Sequence, residues 1–174
     1  MKLLKNICLI SVLGLSTAFF AGCPQDSEEA GADVRSENEE LLSKLESEAP
    51  KAHEKLESAI ASLESKDYAT AIKSAQEAVK EAPEAMKSDI AAAQLDVQTK
   101  AIGASFEGAG DDVKSVVDKV VSALKEGNTE AAMAEVANLQ KIADQLTDEQ
   151  KAVLSSLAGD AGKMIKDAAD KIGL

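Results

Sequence analysis

From Leu42 onward, small and aliphatic residues return at alternating steps of three and four: Leu42, Leu45, Ala49, Ala52, Leu56, Ala59 and Leu63. That spacing lines them up in one stripe along a helix and leaves no strict alternation for a strand. The period recurs down the chain. Ala71, Ile72, Ala75, Ala78 and Val79 form one face, and Met86, Ile90, Ala93, Val97 and Ala101 another. Val113, Val116, Val117, Val120, Val121 and Leu124 follow, then Met133, Val136, Leu139, Ile142 and Leu146. The last set is Val153, Leu154, Leu157, Ala161, Met164, Ile165, Ala168 and Ile172. Valine favours strands, but these valines are helically spaced. The pattern predicts an all-α domain.

Punctuation sets the boundaries. Pro50 would cost about 3 kcal/mol inside a helix but is accepted in a first turn. A break is therefore expected at 47–49, with a helix from Pro50 to about Ser65. Because the apolar phase runs on through Pro50, one kinked helix is the alternative. Asp67 can cap the next helix, which runs to about Glu81. Pro83 suits the first turn of the one after. Gly103 to Gly110, around Phe106, read as the longest internal loop, and Asp111 or Asp112 opens another helix. Gly127-Asn128 closes it, Glu130 to Gln145 follows, and Thr147-Asp-Glu-Gln150 has capping-box spacing. Gly159 and Gly162 weaken the final helix without shifting its phase. Short connections at Lys66-Asp67, Gly127-Asn128 and Thr147 imply antiparallel helical hairpins, hence an up-down bundle or a short solenoid.

Leu63-Glu-Ser-Lys-Asp-Tyr-Ala-Thr-Ala-Ile72 aligns with Leu124-Lys-Glu-Gly-Asn-Thr-Glu-Ala-Ala-Met133 as a weak internal repeat. Around the first copy, Tyr68 in the turn, then Ala71, Ala78 and Pro83, resemble the second helix of a tetratricopeptide repeat. Ala75 stands where that family has an aromatic residue, and the preceding helix lacks its aromatic and its Leu-Gly pair. The second copy has Leu139 and Asp144 where Ala and Pro would fall. The resemblance implies stacked hairpins in the style of that family.

The N-terminus has a different character. Lys2 and Lys5 precede an apolar run from Ile7 to Phe20, and Ala21-Gly22-Cys23 follows. The run is about 14 residues, short of the ~20 a membrane-spanning helix needs. Phe20-Ala21-Gly22-Cys23 resembles a bacterial lipoprotein signal, with Phe20 in place of the usual aliphatic residue. The resemblance implies that residues 1–22 are removed. Cys23 then becomes the first residue and carries a thioether-linked diacylglycerol and an N-acyl chain. Pro24 and Gln25, with no Asp directly after Cys23, resemble the pattern that sends lipoproteins to an outer membrane, facing the periplasm. Residues 24 to 36 hold one bulky apolar side chain, Val34, so 23–36 reads as a lipidated flexible acidic tether and 37–174 as the helical domain.

Loss of Lys2 and Lys5 moves the formal net charge from −12 to −14. An acidic surface disfavours nucleic acid and adhesion to anionic lipid. With Cys8 lost and Cys23 acylated, no cysteine pair is left for a disulfide, and lone His53 cannot complete a zinc site. His53, beside Glu54, reads as solvated. Gly108-Ala-Gly110 lacks the strand and the Gly-Lys-Ser of a phosphate loop. The serines have no base to activate them, and the carboxylates are too many to single out a catalytic pair. No catalytic residue, metal ligand or cofactor is expected.

After the signal, Tyr68 and Phe106 are the only aromatic residues. Phe106, on a glycine-flanked loop, is either core or a contact at the rim of a groove between hairpins. The chain thus reads as an envelope lipoprotein, held by lipid on Cys23, whose helical domain engages a protein partner. The alternatives are a structural spacer or oligomerising coiled-coil lipoprotein, and a small-ligand carrier.

Overall fold

The computed structural model describes residues 27–159. The N-terminal segment read as a signal, Cys23, and the apolar positions Ala161 to Ile172 lie outside them. The described residues form an all-α fold with no strand. Its helices are α1 (Ser27–Glu37), α2 (Glu39–Glu48), α3 (Pro50–Glu64), α4 (Tyr68–Glu81), α5 (Lys87–Ser105), α6 (Asp111–Lys125), α7 (Thr129–Lys141) and α8 (148–159). Short 3-10 turns, Glu84–Met86 and Ala143–Gln145, lead into α5 and out of α7.

Each helix from α3 to α7 packs on its sequence neighbour, and α1 crosses back over α3 and α5. Eleven of the buried side chains are alanines, Ala52, Ala59, Ala71, Ala75 and Ala93 among them, which lets helix axes approach closely. Leu45, Leu56, Ile60, Leu63, Ile72, Ile90, Ile102 and Leu139 supply the bulk. Full burial of each such side chain contributes about 1.5–3 kcal/mol. The seam from Leu42 to Leu63 is buried inside this core. It is therefore not free to pair with a second chain.

The break before Pro50 is real. Ala49 has φ −146° and ψ 63°, which ends α2, and Pro50 opens α3 where its missing N–H costs no bond.

The two aligned segments share one hydrogen-bond pattern. Lys66 and Gly127 both have left-handed backbones, φ 65° and 68°. Lys66 N–H donates to Leu63 O (3.1 Å) and Asp67 N–H to Ser62 O (2.8 Å). Gly127 N–H likewise donates to Leu124 O (2.9 Å) and Asn128 N–H to Ala123 O (2.8 Å). These pairs are the crossed bonds of a Schellman cap. The next residue starts the following helix in each copy. Asp67 Oδ1 accepts from Thr70 N–H at 3.1 Å, and Asn128 Oδ1 from Ala131 N–H at 3.0 Å. Only the first copy carries a side chain at the left-handed position, where an L-residue costs about 1–2 kcal/mol. Lys66→Gly should therefore raise stability by about 1 kcal/mol, and Gly127→Ala should lower it by a similar amount. Urea titration of both variants checks this, and equal effects of one sign would contradict it.

Two readings need correction. Residues 27–36 are not a flexible tether but helix α1, with Ala30 and Val34 buried. Gly31 lets α1 sit tightly on α3. A Cβ there would fall against Glu64 Cγ, 3.1 Å from Glu64 N and 3.3 Å from Ile60 O. Ion pairs hold the flanks. Arg35 Nη1 donates to both Glu57 oxygens (2.8 and 2.9 Å), and Lys100 Nζ lies 2.9 Å from Asp33 Oδ2. The hydrogen bond to Glu57 raises the Arg35 pKa. These partners lie far away in sequence, so the local composition of 24–36 could not report them. The second correction concerns Gly103, which continues α5 rather than opening a loop. The connection to α6 is only residues 106–110. His53 lies on α3 and is partly exposed.

Between α3 and α4, Lys55 and Glu77 lie 2.6 Å apart. Their hydrogen bond lowers the Glu77 pKa and raises that of Lys55. The Glu77 part is lost as pH falls through its lowered pKa, and the Lys55 part as pH rises through its raised one. The pair is intact at neutral pH, but both groups are solvated and the net effect is small.

Candidate functional site

A depression lies between α5 and α6, the facing arms of successive hairpins, with Ala30 and Glu37 of α1 also on its wall. It is a groove of about 810 Å³. Leu95 and Ala104 line it from α5, and Val117, Val121 and Leu124 from α6. Phe106 lies at the turn that joins the two helices. The rim alternates in sign, with Lys114 and Lys125 beside Glu107 and Asp118. An apolar floor with a rim of both signs suits a ligand of matching register rather than one of simple opposite charge.

Local sequence explains how the walls are held. Gly110 and Asp111 start α6 with two acids in its first turn, where the helix dipole favours them. The far end of α5 is tied down by α8. Thr147 Oγ1 accepts from Gln150 N–H (3.2 Å), and Gln150 Oε1 accepts from Thr147 N–H (3.0 Å), closing the capping box. The same carboxamide donates from Nε2 to Ser105 O at 3.1 Å. One buried glutamine therefore caps α8 and fixes the start of the α5–α6 connection. The box was legible in the sequence, but the bond across 45 residues was not.

Phe106 is 1 % exposed and belongs to the core. Its ring lines the inner surface of the groove without projecting from the turn. Of the two roles weighed for it, the structure assigns the packing one. Cys23 lies outside the described residues. Among the described residues, no group of three or more His, Cys, Asp or Glu side chains could hold a metal ion. No described helix is long and apolar enough to cross a membrane.

Sequence reasoning missed a second, smaller cavity of about 160 Å³ between α5 and the α6–α7 hairpin, with Leu157 of α8 among its walls. Gln76, Gln94 and Gln98 line it beside Val120, Met133 and Val136. Gln98 adjoins Val97 on the buried side of α5, the one signal in the sequence that a polar residue faces inward there.

The chain matches no protein-family model, and comparison with curated proteins and with solved structures returns no match.

Proposed function

We propose that this protein is a lipid-anchored lipoprotein of the bacterial envelope whose helical domain docks a protein partner in the groove between α5 and α6. The observation that carries the reading is the N-terminal sequence, with Lys2 and Lys5, the apolar run to Phe20, and a single cysteine after Ala21-Gly22. Two or three acyl chains on Cys23 would hold firmly, since each buried CH₂ contributes about 0.8 kcal/mol. No basic patch beside the anchor is then required, and none is present. Pro24 and Gln25 favour the outer membrane, facing the periplasm, in a bacterium that has one.

The packing of α1 gives the anchor a consequence. Cys23 precedes Ser27, the first residue of α1, by four positions. That much chain reaches about 14 Å at full extension. The domain would stand close to the bilayer on the amino end of α1, with no long tether to let it range. The partner would then lie at or near the same membrane. The spacer or coiled-coil alternative is less well supported, because the heptad-like seam is consumed in the core.

The test is the mass of the mature amino-terminal peptide from the native host. It should begin at Cys23 and carry a diacylglyceryl group, with or without an N-acyl chain. A peptide that starts elsewhere, or an unmodified Cys23, overturns the reading.

A further inference from the structure

The cavity between α5 and the α6–α7 hairpin has a composition unlike the groove. Among the residues that line it, none is ionisable. Most of its wall is aliphatic, with Leu95, Val120, Leu124, Val136 and Leu157 joined by the adaptable thioether of Met133. Against this wall stands Gln98, 6 % exposed. Among the described residues its carboxamide has no hydrogen-bond partner. Gln76 is equally buried and spends its Nε2 on Ser156 O at 3.1 Å, which leaves its carbonyl oxygen unused. Buried carboxamides are normally satisfied, and one left unpaired in an apolar cleft is a standing cost that a bound group can remove.

We propose that this cavity binds a small neutral molecule. It would be about the size of one six-membered ring, apolar over most of its surface, and would carry one group that hydrogen-bonds Gln98. Three observations fix that class. The volume of about 160 Å³ is close to that of an apolar protein cavity known to admit benzene, about 150 Å³. The absence of any charged lining residue excludes an ion, which would lose its hydration with no counter-charge in return. The buried unpaired polar atoms come from Gln98 and Gln76, while Gln94 and Thr129, the other polar residues of the lining, are partly exposed, so a group that reaches Gln98 meets its unpaired atoms against a mostly aliphatic wall. This site is separate in chemistry from the docking groove, although Leu95 and Leu124 line both. It does not depend on the lipoprotein reading.

The experiment is ligand-observed NMR titration of the full-length protein in detergent with phenol, benzamide, benzene and benzoate. Phenol and benzamide should bind about tenfold more tightly than benzene, the worth of one hydrogen bond to a group otherwise unpaired. Benzoate should not bind. Gln98→Leu should abolish the preference for phenol and benzamide while retaining benzene. Ala91→Leu, which fills the cavity from a half-buried position on α5 and leaves Gln98 in place, should abolish binding of all three neutral probes. Should Gln98→Leu fail to fold, the Ala91→Leu result decides. Absence of binding by every probe at millimolar concentration, binding of benzoate as tight as that of phenol, an unchanged preference in Gln98→Leu, or unchanged binding in Ala91→Leu would each overturn the proposal.

Discussion

Phe106→Ala should destabilise the domain by about 3–5 kcal/mol, the usual cost of removing a buried phenylalanine. For a domain of this size that is a fall in melting temperature of roughly 10–20 °C. The expectation rests on position as well as burial. Phe106 caps α5, its N–H donating to Ile102 O at 3.2 Å and its carbonyl accepting from Ala109 N–H at 3.0 Å. The ring is 1 % exposed and is the largest of the fully buried side chains. Its loss would leave a void between α5 and α6, in a core where alanine is the commonest residue and offers little with which to fill it. Phe106→Leu, which keeps most of the apolar bulk, should cost much less. Calorimetry and urea titration of both variants check this. A change below about 1 kcal/mol for Phe106→Ala would show that the ring does not hold the turn.

Legibility followed the range of the interactions. Asp67, Asp111, Gly127 and the Thr147–Gln150 box act on backbone groups within a few residues, and helix boundaries at those points could be read directly, whereas Pro83, read as part of the first turn of α5, instead precedes the 3-10 turn Glu84–Met86, and α5 starts at Lys87. The inward faces of α5 and α6 were legible because burial follows the helical period. Helix α1 was not. The buried Ala30 and Val34 make too weak a pattern to announce a helix. What orders it is the close approach at Gly31 and the pairs to Glu57 and Lys100, which come from α3 and α5. Gly103 misled for the opposite reason. Its propensity cost of about 0.5–1 kcal/mol is local. It is outweighed by Ile102 and Phe106, which bury the end of α5. The groove was anticipated as a surface between hairpins, whereas the glutamine-lined cavity needed the α6–α7 hairpin in place beside α5. No local pattern encodes that juxtaposition.

On the proposed reading an acylated Cys23 holds the protein at the membrane, and its removal should have the largest effect of any single change. On that reading the mature chain without acyl groups, with a formal net charge of −14 once Lys2 and Lys5 are gone, should leave the membrane. Cys23→Ser under the native signal should accumulate as uncleaved precursor, since the processing that frees the chain depends on the modified cysteine. The decisive comparison removes that complication by joining residues 24–174 to an ordinary cleavable secretory leader and following the product through detergent phase separation of the envelope. The wild-type protein is expected in the detergent phase and the leader-swapped chain in the aqueous phase. Recovery of the cleaved, cysteine-free chain in the detergent phase would contradict the lipid anchor and, with it, the placement of the domain at the membrane.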